Sequence, residues 1–112
     1  MITEYFINNG KTYTIYIGQN KTENWLLLDT SEPNNIWFHL ADAPSPYVIL
    51  NTNVNLDEIP KSVLYRCGIL CKLRSSSKKH NNCYVNYTYI KNVNKGKHIG
   101  EVIITNYKNI RV

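Results

Sequence analysis

Two strand-like segments flank an Asn-Gly dipeptide near the start of the chain, and this pattern constrains the fold more than any other. Residues 5–8 and 13–17 are rich in β-branched and aromatic side chains, and the Asn-Asn-Gly-Lys segment between them has the chemistry of a tight turn. Every second residue of the later segment is tyrosine or isoleucine, so one face of the strand is apolar. The pattern predicts a β-hairpin that buries this face.

The second half of the chain contains a clear helical pattern. Its apolar residues recur at helical spacing and share one stripe: Val63, Leu64, Cys67, Leu70 and Cys71. Pro60 suits the first turn of a helix, and the acids at positions 57 and 58 favour the positive end of its dipole. We therefore predict a principal helix over about residues 60–73. Residues 22–28 are also compatible with a short helix, capped by Asn20 or Thr22.

Four further segments have the composition of strands, namely residues 36–40, 47–50, 84–90 and 101–107. Polar loops separate them, and the loops at residues 75–82 and 92–100 are basic. A chain of 112 residues that is 43% apolar builds one hydrophobic core, and it contains no internal repeat and no linker. The expected fold is a single α+β domain over residues 1–112, with a mainly antiparallel sheet and one principal helix.

The sequence also predicts where the protein resides. The N-terminus lacks a basic segment followed by an apolar run, so it does not resemble a signal peptide. No window approaches the roughly 20 apolar residues that a membrane-spanning helix needs. The three cysteines are an odd number, which argues against a disulfide framework. These features favour a cytoplasmic protein without a membrane partner.

Charge is divided unevenly between the two halves of the chain. Residues 1–60 contain two Lys and seven Asp or Glu, a net charge of −5, whereas residues 61–112 contain eleven Lys or Arg and one Glu, a net charge of +10. If folding places the second half's cations together, a polyanion such as nucleic acid is the natural partner. The alternative is a basic surface that only aids solubility.

Most of these cations fall in or beside two segments, one at the end of the principal helix and one after the strand at residues 84–90. The candidate nucleic-acid contacts are Lys72, Arg74, Lys78, Lys79, Lys91, Lys95 and Lys97. Serine and asparagine side chains between them can donate to phosphate oxygens, and nearby tyrosines offer stacking surfaces for unpaired bases. A favourable interaction with the helix dipole would explain Lys72 and Arg74 without a ligand, but it would not explain the second segment.

Catalytic and metal-binding patterns are weak in this sequence. His39 and Asp42 have the residue types of an acid–base pair, but no nucleophile accompanies them. A zinc site would have four candidate ligands: Cys67, Cys71, His80 and Cys83. The first two of these fit the apolar stripe of the helix, where cysteine behaves as a small hydrophobic residue. We therefore predict a protein that is not an enzyme and that binds no cofactor and no metal.

Several segments, in the same order along the chain, resemble motifs of the NFACT-R domain family. Tyr13-Thr-Ile-Tyr-Ile-Gly-Gln-Asn20, with Asn24 after it, resembles the family's opening strand and G-R-N-x(3)-N segment. Asn35-Ile-Trp-Phe-His-Leu40 is similar to its D-[IL]-W-F-H-V motif. Its ending is matched by Val85-Asn-Tyr-Thr88, Lys91-Asn-Val-Asn-Lys95 and Gly100-Glu-Val102. The family-motif residues are Gly18, Asn20, Asn24, Trp37, Phe38, His39, Tyr87 and Thr88.

The resemblance implies an α+β domain that binds nucleic acid, with RNA of the tRNA or rRNA type favoured. It also implies a link to the ribosome and to ribosome-associated translation quality control. Trp37 and His39 are expected to shape the site or to stack on a ligand. The chain departs from the family pattern at three positions, with Gln19 for arginine, Asn35 for aspartate and Tyr47 for histidine. The first departure removes a cation from the turn after the strand.

Two alternatives to RNA binding remain open from the sequence. DNA binding would use the same mechanism, because phosphate contacts alone hardly separate the two nucleic acids. A protein-interaction adaptor would dock a basic partner on the acidic half or an acidic partner on the basic half.

Overall fold

The N-terminal hairpin is present in the computed structural model, which describes all 112 residues. Strands β1 (Ile2–Asn8) and β2 (Lys11–Ile17) pair antiparallel. Asn9 and Gly10 between them have φ angles of 50° and 77°, the left-handed conformation that two-residue hairpin turns require. The predicted hairpin is therefore confirmed, with a first strand that begins three residues earlier than its composition indicated.

The other helices and strands follow in chain order: α1 (Lys21–Thr30), β3 (Ile36–Leu40), β4 (Val48–Asn51), α2 (Lys61–Leu73), β5 (Tyr84–Tyr89), β6 (Val93–Lys95), β7 (Val102–Ile104) and β8 (Lys108–Arg111). Six strands form one antiparallel sheet in the order β1-β2-β4-β3-β5-β8, and β6 with β7 forms a separate hairpin. Short 3-10 turns lie at Leu56–Glu58 and Ile90–Asn92. The predicted α+β class and the predominance of antiparallel pairing are confirmed.

Helix α2 covers one face of the sheet and closes the main core. Val63, Cys67 and Cys71 from its apolar stripe are fully buried in a cluster of 18 residues. Arg66 on the same helix makes a bidentate ion pair with Glu4 of β1, with N–O distances of 2.6 and 2.9 Å. The helix therefore packs by its apolar face and is tied at one side to the edge strand. The principal helix predicted from the stripe is confirmed.

Helix α1 and the β6–β7 hairpin cover part of the opposite face. Asn20 caps α1 by accepting a hydrogen bond from the backbone N–H of Glu23 at 2.9 Å, so Asn20 and not Thr22 is the cap. The indole N–H of Trp25 donates to the backbone oxygen of Glu101 at 3.2 Å, which joins the helix to the hairpin. Beneath them lies a second core cluster made of Leu27, Trp37, Tyr47, Ile49 and Ile90.

Two boundaries predicted in the last quarter of the chain were wrong. The single strand expected at residues 101–107 is shorter, because β7 ends at Ile104, the chain turns through Asn106 with φ of 50°, and β8 then follows. The loop expected at residues 92–100 contains β6. A three-residue strand such as β6 is too short to produce a clear alternation, so local pattern does not reveal it.

Neither α-helix has the length and apolar character that crossing a membrane would require.

Candidate functional site

An open cavity of about 710 Å³ lies at the end of the sheet where β2 and β3 finish and β4 begins. Five parts of the chain supply its walls: residues 18–21 with Asn24, His39, residues 44–47, residues 74–76, and residues 99–100. Elements distant in the sequence therefore meet here. Four of the eight family-motif residues line the cavity, namely Gly18, Asn20, Asn24 and His39.

Gly18 and Asn24 form one wall by a close backbone contact. The N–H of Gly18 donates to the carbonyl of Tyr47 at 3.0 Å, and the N–H of Tyr47 donates to Oδ1 of Asn24 at 3.1 Å. A Cβ added to Gly18 would lie 2.0 Å from that same Oδ1. A side chain at position 18 would therefore displace Asn24 and leave the buried N–H of Tyr47 without its acceptor.

Three aromatic rings stand together beside the cavity: His39 and Tyr47 line it, and Trp37 is buried in the second core cluster. The rings of Trp37 and His39 are parallel within 2° with centroids 5.7 Å apart, and Tyr47 meets both edge-on at 5.4 and 5.5 Å. The hydroxyl of Tyr47 donates to the carbonyl of Gly100 at 2.6 Å, which holds the β6–β7 turn against the cavity. Burial raises the pKa of Tyr47 to about 12, so the phenol stays protonated and keeps this bond. The indole N–H of Trp37 is buried without a partner.

His39 has one ring nitrogen engaged and one free. Its Nδ1 lies 2.6 Å from the backbone oxygen of Leu40, and because a carbonyl can only accept, Nδ1 carries the hydrogen and donates. Burial lowers the pKa of His39 below its ordinary value, although the bond to Leu40 acts in the opposite direction. The neutral ring is therefore favoured, and in that tautomer Nε2 is a hydrogen-bond acceptor.

Two cations and no acid line the cavity. Arg74 is the C-cap residue directly after α2, and Lys21 is the first residue of α1. Both are exposed, and neither side chain forms an ion pair within the protein. Lys78 and Lys79 follow Arg74 in the same loop and are also exposed. This end of the molecule therefore offers unpaired positive charge beside a polar opening.

Other predicted contact residues lie elsewhere or are engaged within the protein. Lys95 makes an ion pair of 2.6 Å with Asp29 and lies 5.1 Å from the centre of the Trp25 ring. Lys91 lies over the ring of Tyr89, which pairs with Ile36 at the far end of β3 from His39. Two lysines of the second basic loop are therefore engaged within the protein, although the end of that loop, residues 99–100, lines the same cavity as Arg74.

The last two candidate cations occupy intermediate positions. Lys72 is partly buried, and its ammonium lies 3.4 Å from the backbone oxygen of Val112. Lys97 is exposed in the β6–β7 turn, three residues before Gly100 at the cavity wall.

The remaining family-motif residues hold the fold beneath the site. Phe38 and Tyr87 stack in the main core with ring centroids 5.5 Å apart. The hydroxyl of Thr88 lies 3.3 and 3.2 Å from the backbone oxygens of Thr105 and Asn106, and it accepts from the amide of Asn92 at 3.0 Å. Thr88 thereby fastens the turn between β7 and β8 to the central sheet.

The residue sets considered for metal binding and catalysis are dispersed. No three His, Cys, Asp or Glu side chains stand close enough together to share a metal ion. Cys67 and Cys71 lie in the core, where burial raises the pKa of both thiols, and His80 is exposed on the following loop. Asp42 is exposed and does not line the cavity beside His39.

Sequence reasoning missed two residues at the site. Lys21 belongs to the acidic half of the chain, and only its position directly after the Gly-Gln-Asn segment could have drawn attention to it. Tyr47 stands out in the sequence only as a departure from the family pattern, and its contacts with Gly100 and the aromatic rings arise from tertiary packing.

This sheet, with helices on both faces and a cavity lined by cations, defines a small α+β domain suited to an anionic ligand. The NFACT protein RNA binding domain matches residues 2–106, and the chain belongs to this family. Coiled-coil domain-containing protein 25 from Mus musculus is 35% identical over 109 residues, which cover 93% of this chain and 52% of that protein. The resemblance read from the motifs is confirmed.

Two bacterial proteins extend the comparison. Rqc2 homolog RqcH from Streptococcus pneumoniae is 28% identical over 99% of this chain and 20% of its own length. The structure of the C-terminal part of the fibronectin/fibrinogen-binding protein from Streptococcus suis matches with a TM-score of 0.84 and 25% identity, covering 96% of this chain and 43% of that one. The chain thus spans about half the length of its coiled-coil relative and a fifth of RqcH.

Proposed function

We propose that this protein is a non-catalytic RNA-binding module whose binding site is the cavity and the loop that follows α2. The observation that carries the proposal is the meeting of Lys21 and Arg74, two unpaired cations, with His39 around an opening that contains no acid. Phosphates would lie against Lys21, Arg74, Lys78 and Lys79. RNA is favoured because the family is a family of RNA-binding domains.

The size and character of the cavity support a single-stranded segment as the ligand. A volume of about 710 Å³ falls within the range of roughly 300–1,000 Å³ that small-molecule-sized sites occupy. A base pair within a duplex cannot enter such an opening, whereas an unpaired nucleotide of a loop or an end can do so. The proposed ligand is therefore RNA with an accessible unpaired nucleotide.

A salt titration of RNA affinity tests the proposal. Four phosphate contacts to a single strand predict that log K falls with log salt at a slope of about −2.8, since each contact contributes about −0.7. Fluorescence anisotropy with a labelled single-stranded RNA at several salt concentrations measures the slope. A flat response, or no binding at low salt, would refute the proposal.

The biological ligand would be tRNA or ribosomal RNA, and the protein would act in the cytoplasm with the ribosome. The similarity to Rqc2 homolog RqcH supports a place in ribosome-associated translation quality control. Sedimentation of the purified protein with ribosomes, with and without nuclease, tests this part. The expected result is co-sedimentation that competing tRNA or nuclease treatment abolishes.

A protein-interaction adaptor is the second candidate, and one observation favours it. Tyr5 and Ile7 on the edge strand β1 are 67% and 69% exposed, although strands usually bury residues of this kind. A pulldown from cell extract distinguishes the two candidates. Partners that survive nuclease treatment and are lost with Tyr5→Ser and Ile7→Ser would favour the adaptor.

A further inference from the structure

We infer that the cavity distinguishes RNA from DNA by accepting a hydrogen bond from a ribose 2′-hydroxyl at Nε2 of His39. The inference rests on the proposed function and adds to it the group of the ligand that the site recognises. In this arrangement the phosphate contacts Lys21 and Arg74, and the sugar lies against the aromatic residues of the cavity, His39 and Tyr47. The 2′-hydroxyl is the feature by which a protein can distinguish the two nucleic acids at one nucleotide.

Most hydrogen-bond acceptors on the lining side chains are already used by the protein. Oδ1 of Asn24 accepts from the N–H of Tyr47, and Oδ1 of Asn20 accepts from the N–H of Glu23. The hydroxyl of Ser45 accepts from the N–H of Leu40 and donates to Pro46. These groups shape the cavity, and each of their oxygens already accepts a hydrogen bond from the protein.

Acceptors on the other walls are engaged in the same way. Oε1 of Gln19 accepts from the chain's amino terminus at 2.9 Å, and the hydroxyl of Ser75 accepts from the N–H of Ser77 and donates to Lys72. The hydroxyl of Tyr47 donates to Gly100. Nε2 of His39 and the hydroxyl of Ser76 are side-chain acceptors on the lining that hold no hydrogen bond. The oxygen of Tyr47 also accepts none, but that residue is only 1% exposed.

His39 is the more selective of these two acceptors. A serine hydroxyl rotates and can donate or accept, so it does not require a donor from the ligand. The imidazole is fixed by its bond from Nδ1 to Leu40 and by stacking against Trp37, so Nε2 has a defined direction. A neutral ring with Nδ1 protonated presents Nε2 as an acceptor only, which favours a ligand hydroxyl and disfavours a phosphate oxygen at this point.

The distribution of charge around the His39 ring separates phosphate binding from recognition of the sugar. Lys21 and Arg74 line the same cavity and attract the phosphate. The groups in ring contact with His39 are Trp37 and Tyr47, and neither carries a charge at neutral pH. One unpaired nucleotide can therefore contact both parts of the cavity, through its phosphate and its sugar.

Three oligomers of uridine, about ten nucleotides long, test the inference by fluorescence anisotropy: ribose, 2′-deoxyribose and 2′-O-methyl ribose. The base is the same in all three oligomers, so the sugar supplies the difference between the ligands. A single neutral hydrogen bond predicts that wild-type protein binds the ribose form about two- to tenfold tighter than either of the others. The 2′-O-methyl form retains an oxygen but cannot donate, so it should bind like the deoxyribose form.

Substitutions at His39 test whether this residue causes the preference for the ribose oligomer. His39→Phe keeps an aromatic ring against Trp37 and removes the acceptor, so the ribose form should weaken to the level of the deoxyribose form, whose affinity should not change. His39→Gln restores an acceptor and should recover part of the preference. His80→Phe, at an exposed histidine outside the cavity, is the matched control and should retain the wild-type preference.

The outcomes separate this inference from the proposed function. Tight, salt-dependent binding with equal affinity for all three oligomers would overturn the inference and leave RNA binding intact. A preference that persists in His39→Phe would also overturn it. No binding to any oligomer would remove both proposals. Because the comparison of the three oligomers uses the wild-type protein, it tests the inference even if a variant fails to fold.

Discussion

The two basic segments of this chain are similar in composition and differ in what their cations do. After α2, Arg74 lines the cavity and the exposed Lys78 and Lys79 follow it. None of the three forms an ion pair with an acid. In the other segment, Lys95 is paired with Asp29 and Lys91 lies over an aromatic ring. The first segment leaves its three cations without ion pairs, whereas two of the second segment's lysines make contacts within the protein.

The difference arises from which elements lie opposite each segment. The β6–β7 hairpin packs on α1, which belongs to the acidic half of the chain, so an aspartate is available to its lysine. Residues 74–76, at the start of the loop after α2, face residues 18–21 and 44–47 across the cavity, and these contain a lysine and no acid. Later residues of the loop lie beside Asp42, which forms no ion pair. A cation in a basic sequence is therefore available to a ligand only when the fold leaves it opposite a surface without acids.

The largest expected effect comes from removing the two cations at the cavity. Lys21→Ala combined with Arg74→Ala should make the salt slope about 1.4 less negative, which corresponds to a loss of about 25-fold in RNA affinity at 0.1 M salt. Lys91→Ala with Lys95→Ala is the matched control, since it removes the same charge. It should cost less than about threefold. Equal losses of RNA affinity in the two double variants, measured by anisotropy, would show that the two basic segments do not differ in RNA binding.

A substitution at Gly18 tests whether the cavity wall depends on close backbone packing. Gly18→Ala should reduce the free energy of unfolding by about 1–3 kcal/mol, because the new Cβ displaces Asn24 and leaves the buried N–H of Tyr47 unsatisfied. Urea denaturation measures the change. Gly10→Asn is the control: the turn has open space there, and asparagine tolerates its positive φ, so the loss should stay below about 1 kcal/mol. Similar losses at both glycines would contradict the proposed wall.

The pKa of His39 predicts a pH dependence of stability. Because the folded protein holds this pKa below the ordinary value of 6.5, the unfolded chain takes up the proton first as the pH falls. The contribution of His39 to the free energy of unfolding is complete above about pH 6.5. It decreases as the pH falls toward the pKa of the folded state. Trp37 and Tyr47 contact the ring, and Lys21 and Arg74 line the same cavity.

Urea midpoints measured between pH 8 and pH 5 test that dependence. The wild-type protein should lose more stability over this range than His39→Gln, which has no titrating group at the position. His98→Gln, at an exposed histidine, should follow the wild-type curve. Parallel curves for wild type and His39→Gln would show that burial does not disfavour the charged ring.

The smallest expected effect concerns the ion pair of the second segment. Lys95→Ala should lower the free energy of unfolding by about 0.2–1 kcal/mol, because exposed ion pairs contribute little. Lys97→Ala, two residues later in the β6–β7 turn, removes a lysine that forms no ion pair and should have no measurable effect on stability. If Lys97→Ala destabilised the protein as much as Lys95→Ala, the pairing with Asp29 would not be what distinguishes the two lysines.

The sequence alone determined the elements that produce a strong local pattern. The apolar stripe of α2 and the Asn-Gly turn of the first hairpin each depend on neighbours within a few residues, so they could be read without the fold. The ordered motifs around Gly18 and Trp37 likewise indicated the family that the domain match confirms. The short strands β6 and β8 escaped detection because their three and four residues are mostly polar and carry too little periodicity, whereas β7 was predicted as part of a longer strand.

Only the tertiary structure decided which charged residues are free and where they meet. Lys95 and Asp29 are 66 positions apart, and Arg66 and Glu4 are 62 positions apart, so no local pattern predicts either pair. Lys21 and Arg74 share a cavity because the segments that follow β2 and α2 meet at the same end of the sheet. Charge acts through space, and the distances between these groups are set by strand order and helix packing, which the sequence specifies only through the whole fold.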